Sequence, residues 1–187
     1  MKSLEDRFDE LREELEQDYD SFNKVQGVNI ALFVYSPRRE KKVISEVQRL
    51  SHKLSDSFLQ SETLSLSKIV FEAFEELLGI DEVIEREKEA PNRLLEEANQ
   101  PLLDYITSKI LDLDESMDQG VTLIHRCGGI YPFLSVHALT ARLETELNNP
   151  TIFFYPGKRK RNYMRFLNGS EEHVGNYRAK IYEVDTS

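Results

Sequence analysis

Along the first two dozen residues the apolar positions fall at Leu4, Phe8, Leu11, Leu15, Tyr19 and Phe22. These alternating steps of four and three trace one stripe of a helix over residues 1–24, with acids on its other faces. An isolated helix of that length is marginal in water, so the stripe needs a partner surface, either the body of the domain or another chain. At Val28–Tyr35 the pattern changes to a near-continuous apolar run, as expected of a strand covered by helices on both faces, and Ser36-Pro37 ends it. A helix follows from Arg38, with Val43, Val47, Leu50, Leu54 and Phe58 on its core face.

A short strand over 63–67 leads to a helix carrying Val70, Phe71, Phe74, Leu77 and Leu78, which Gly79 terminates, and Asp81 can cap a further short helix. Pro91 and Pro101 each suit a first helical turn, which predicts two helices with a break between them. The second buries Leu102, Leu103, Ile106, Ile110 and Leu113. Val121–Ile124 is another buried strand, and Tyr131-Pro132 starts a helix over 133–147 that buries Val136, Leu139, Leu143 and Leu147. After Asn148-Asn149-Pro150, "TIFFYPG" is a strand and turn, and "NYMRFLNG" and "YRAKIYEV" are two strands joined through Asn168-Gly169.

This succession predicts an α/β fold in a single domain, 1–187, with a largely parallel central sheet flanked by helices. Its parts are the N-terminal helix packed outside (1–24), the α/β body (28–155), and a basic loop with C-terminal strands closing one edge (156–187).

Composition narrows the class. A chain of 187 residues suits one domain. Its longest apolar run falls well short of the ~18 residues that cross a bilayer. Acids in "MKSLEDRFDE" stand where a secretory signal needs an apolar core. With Cys127 as the single cysteine no internal disulfide can form, which suits a reducing cytoplasm. The net charge is 24 − 34 = −10, unevenly spread: residues 1–118 carry 15 − 28 = −13, and residues 119–187 carry 9 − 6 = +3. Overall acidity therefore disfavours nucleic acid only on average, and a local basic site remains open in the second part.

The expected site lies where the strands end. "VYSP" at 34–37, "GIYP" at 129–132 and "FYPG" at 154–157 each mark a strand exit. In a parallel sheet such exits share one edge, where doubly wound folds bind ligands. Arg38, Arg39, Lys41 and Lys42 follow the first exit, and Lys158, Arg159, Lys160 and Arg161 follow the third. Cations at a helix start oppose its dipole, so something other than helix stability keeps the first group there. With Tyr131, Tyr155 and Arg178, these basic residues form a candidate surface for an anion or a partner, set against their ordinary fate as solvated loops.

Enzyme chemistry has weaker support. The "GxxxxGK[ST]" that cradles phosphates is missing, since "SPRREKKV" follows the first strand, and Gly128-Gly129 lacks the third glycine of a dinucleotide fingerprint. Cys127 beside His125 and near His137 lacks the four closely spaced ligands of a zinc site, and His173 lies in another segment. A buried cysteine with hydrogen-bonded histidines is the commoner outcome, and Gly128-Gly129 then serve a turn.

"GGIYPFLSVHAL", "NNPTIFFYPG" and "NYRA" at Asn176–Ala179, in this order, resemble the BrxB family of BREX phage-defence systems. "SLEDRFDEL" and "GVNIALFVYSP" are similar to the matching parts of that family. The resemblance implies a cytoplasmic, non-catalytic interaction subunit; no cofactor, metal or membrane contact is expected. Its implied direct partner is the alkaline-phosphatase-like protein PglZ, within a wider assembly that includes a methyltransferase and a large ATPase. The alternative is a nucleic-acid-binding protein that reaches DNA through its partners or through the basic rim.

Overall fold

The computed structural model describes residues 2–19, 22, 27–57, 59–160, 163–167, 171–173 and 178–184. Phe58, Arg161 and the Asn168-Gly169 junction lie outside the described residues. Helices α1 (Leu4–Gln17), α2 (Glu40–Asp56), α3 (Leu66–Leu77), α4 (Ile80–Glu89), α5 (Pro91–Glu115) and α6 (Val136–Leu143) flank the sheet. The strands are β1 (Ile30–Tyr35), β2 (Gln60–Ser65), β3 (Gly120–His125), β4 (Thr151–Lys160), β5 (Tyr163–Phe166), β6 (Glu171–His173) and β7 (Lys180–Glu183).

Five strands pair in parallel in the order β2-β3-β4-β1-β7, which confirms the α/β class. The apolar runs of β1, β3 and β4 fill the middle, and polar "QSETLS" of β2 takes an edge. The chain first passes from β1 over β4 and β3 to the far edge, then returns strand by strand. With crossover handedness fixed, that reversal sends α2 to one face and α3, α5 and α6 to the other. Phe33, Phe154, Val121 and Tyr182 accordingly pack with α1 and α2, whereas Leu32, Phe153, Ile124 and Tyr155 pack with α3, α5 and α6.

The α1 stripe finds its partner within the domain. Leu4, Phe8, Leu11 and Leu15 are buried in the α2-side core, with Phe8 4.5 Å from Phe33 between ring centroids. Lys42 pairs with Glu5, Lys180 pairs with Glu14, and the Tyr182 hydroxyl donates to Glu14 at 2.5 Å. The helix ends at Gln17 rather than continuing to residue 24, and the Tyr19 hydroxyl turns away to donate to Asn149 Oδ1 at 2.7 Å.

Elsewhere tertiary packing changes the expected boundaries. Residues 91–115 form one helix, not two. Leu94, Ala98, Leu102, Ile106 and Ile110, four apart, are all buried and hold it together, while Pro101 is exposed where water can take up the hydrogen bond it removes. The helix expected over 133–147 is only Val136–Leu143, and a cis Tyr131-Pro132 bond lies before it rather than opening it. On α3 the buried positions are Leu66, Ile69, Val70, Ala73 and Phe74, so Phe71 and Leu77 face solvent instead of the core. The last strands separate: β5 pairs with β4 and β6, and β7 joins the main sheet beside β1, closing that edge as expected.

Candidate functional site

The exits of β3, β4 and β1 stand side by side because these strands are adjacent and parallel. The register sets Val34 opposite Tyr155 and Tyr35 opposite Pro156. Two basic groups more than a hundred residues apart therefore reach one end of the sheet. The chain leaves β1 toward the α2 layer and β3 toward the α6 layer, with β4 between, which is the switch-point geometry at which doubly wound sheets hold ligands.

Around the β1 exit, Pro37–Arg39 form a single 3-10 turn and α2 begins at Glu40. Arg38 and Lys41 are exposed, and Arg39 is half-buried. Lys42 is taken up by Glu5, so docking α1 accounts for one of the four cations crowded here. After β4 the expected basic loop is strand. Lys158, Arg159 and Lys160 continue β4 and pair antiparallel with Arg165, Met164 and Tyr163 of β5. Strand alternation points Met164 inward and leaves Lys158, Lys160, Tyr163 and Arg165 exposed on one face. Arg159, half-buried, reaches Glu183 at the end of β7 at 4.0 Å.

Three expected site residues behave differently. Tyr155 is fully buried, 5.0 Å from Phe166 between ring centroids, and contributes to the core rather than to a binding surface. Arg178 precedes β7, a parallel strand, and so stands at the amino end of the sheet, ion-paired with Glu144 and away from the other cations. Tyr131 is exposed at 58 %, but it follows a 3-10 turn over Cys127–Ile130 and is not itself a strand exit.

The edge also holds residues the sequence reading passed over. Arg126 follows β3 directly, exposed and in the left-handed region at φ 55°; a non-glycine residue there is strained. Tyr163 and Arg165 could have been found from the alternation of "YMRF" beside a basic strand.

Beneath this rim the edge is filled. Tyr35 is fully buried and donates its hydroxyl to Glu40; burial, then that carboxylate, raise the phenol far above its ordinary value. Cys127 is also fully buried, its Sγ directed at the Ile124 carbonyl at 3.7 Å, and burial pushes the thiol well above its usual range. A thiol held protonated is a poor nucleophile. Burial, then the charge of Arg126, lower His125. Gly129 is needed for contact rather than for a turn, because a Cβ there would meet Ser67 Cβ at 2.5 Å. No helix among the described residues is long and apolar enough to cross a membrane.

The profile of a family described as "BREX protein BrxB" matches residues 62–181, from β2 through β7, including the whole β3–β6 side of the site. No curated protein and no solved structure matches the chain. The matched stretch covers well over half of the chain, which therefore belongs to the BrxB family of BREX phage-defence proteins.

Proposed function

From that membership we propose that this chain is a non-catalytic interaction subunit of a BREX phage-defence assembly, acting in the cytoplasm and binding the PglZ-like component. The observation that carries this reading is the construction of the carboxyl edge. Where enzymes of doubly wound topology open a cleft, buried Tyr35, Tyr155 and Cys127 occupy the space, and Arg38, Lys41, Lys158 and Lys160 stand exposed outside it. A filled, cationic edge suits contact with an acidic surface better than turnover of a small substrate.

The test is co-purification with the PglZ-like protein followed by size-exclusion chromatography. Co-elution at micromolar concentration, weakened by Lys158→Glu with Lys160→Glu, is the expected result. Two separate peaks count against the reading. The methyltransferase and the large ATPase are the wider members of the assembly on this view.

A second reading, nucleic-acid binding along the same rim, draws on one observation. Lys158, Lys160 and Arg165 share a strand-pair face with exposed Tyr163, a cationic surface carrying a ring on which a base can stack. Affinity for duplex or single-stranded DNA would then fall steeply with salt, and reversing Lys158 and Lys160 would flatten that slope. Binding that is absent or indifferent to salt rejects it.

A further inference from the structure

At the corner where α3 meets α4 the molecule presents a surface of opposite character. Gly79, at φ +79°, turns the chain between the two helices, and the corner encloses an open groove of about 940 Å3. Its apolar lining is Phe71, Leu78 and Ile80. Phe71 is 68 % exposed, the most exposed of the large apolar side chains among the described residues, and Leu77 (46 %) and Ile84 (43 %) lie on the same two helices. Leu78 also lines a smaller, mainly apolar hollow with Phe74 and Leu102, so the strip continues toward α5.

The remainder of the groove is acidic. Glu72, Glu75, Glu76, Asp81 and Glu82 line it, and no basic residue does. Part of that charge is committed: Glu72 pairs with Lys68 at 3.4 Å, Glu82 with Arg86 at 2.7 Å, and Glu75 accepts from the Ile80 amide at 3.0 Å. Five carboxylates around an exposed phenylalanine repel a phosphate backbone and an anionic membrane, and they attract Lys and Arg. An apolar floor with a charged rim is the anatomy of a protein-binding patch. Moreover α4, which carries Ile84, has no buried residue.

We propose that the α3–α4 groove is a second docking surface, taking a protein segment that places an apolar side chain on Phe71 and Lys or Arg against the acidic rim. It rests on the interaction-subunit reading and extends it. The strand-exit rim and the groove carry opposite charge, which fits the subunit to bridge two components of the assembly rather than cap one.

The test uses purified, full-length PglZ-like protein, methyltransferase and large ATPase of the same system, each titrated separately. Against them stand the wild-type chain, Phe71→Ser, Glu72→Lys with Glu76→Lys, and the edge variant Lys158→Glu with Lys160→Glu. The expected result is that both groove variants weaken binding of one component at least tenfold while the edge variant retains it. The substituted side chains are exposed apart from half-buried Glu72, and an unchanged thermal midpoint establishes folding; should Phe71→Ser fail to fold, the charge-reversed pair decides. If the wild-type chain binds components and the groove variants bind all of them equally, the groove proposal falls and the interaction-subunit reading stands. If the wild-type chain binds none, the interaction-subunit reading itself fails. A concentration-dependent dimer abolished by Phe71→Ser assigns the groove to a second copy and also overturns the proposal.

Discussion

Asn149 donates twice to Asp114: its backbone amide to Asp114 Oδ1 at 2.9 Å, and its side-chain amide to the Asp114 carbonyl at 3.1 Å. The other carboxylate oxygen accepts from the Asn148 amide at 2.8 Å, and Asn149 Oδ1 accepts from the Gly120 amide at 3.1 Å. This buried latch ties the end of α5 to the starts of β3 and β4, and thus sets the register that aligns the strand exits at the opposite end. Asp114→Ala leaves the buried Asn149 amide and the part-buried Asn148 amide without their acceptors, for an expected loss of about 3 kcal/mol by urea denaturation. A loss below about 1 kcal/mol means that water replaces the carboxylate and the latch is unimportant.

The two adjacent glycines differ in what they permit. Gly129→Ala drives a Cβ into Ser67 at the start of α3 and costs about 1–3 kcal/mol. Gly128→Ala meets Leu167 at an ordinary 3.7 Å and is expected to cost far less. Equal midpoints for the two variants in thermal melts contradict this assignment.

Tyr155 and Tyr131 were read alike in the sequence and separate in the fold. Tyr155→Ala empties a fully buried site and costs about 3–5 kcal/mol. Tyr131→Ala, at an exposed position, stays within about 0.5 kcal/mol of the wild type. If Tyr131 belongs to the docking edge, its alanine variant weakens capture of the PglZ-like protein with the melting temperature unchanged.

Cys127 tests the absence of thiol chemistry. Buried and protonated, it reacts with a disulfide reagent such as dithionitrobenzoate only as fast as the domain opens. Rapid modification of the native protein, before any loss of helical circular dichroism, contradicts the buried assignment.

His125 gives a pH dependence of definite sign. Burial lowers its folded pKa below the ordinary 6.5, so in the window just beneath that value the unfolded chain binds a proton that the folded chain refuses. Stability falls as pH drops through this window, and above it His125 contributes no slope. His125→Gln is expected to lose less stability than the wild type between about pH 7 and about pH 5.5 in parallel denaturation series. Identical slopes show that His125 is not the group responsible.

The periodicity of the side chains by itself determined the α/β class, the buried strands at Val28–Tyr35 and Val121–Ile124, and the inward faces of α1, α2 and α6. Alternation and helical repeat are local properties, written residue by residue. It also set one cationic cluster behind the β1 exit and a second after "FYPG", which the fold makes the last residues of β4, and parallel pairing then sufficed to bring them to one edge. On α3 the same periodicity counted Phe71 with the core face, whereas Leu66, Ile69, Val70, Ala73 and Phe74 make a complete stripe without it.

Only the tertiary structure decided the rest, because burial and position depend on which distant segment covers a residue. Arg178 went to the opposite end because it precedes a parallel strand, and Tyr155 went inward because Phe166 of β5 folds over it. Pro101 stayed helical because the core grips α5 on either side of it. The narrow α1 stripe found its partner within the same chain, since β1 and β7 together with α2 left an apolar surface for it to cover.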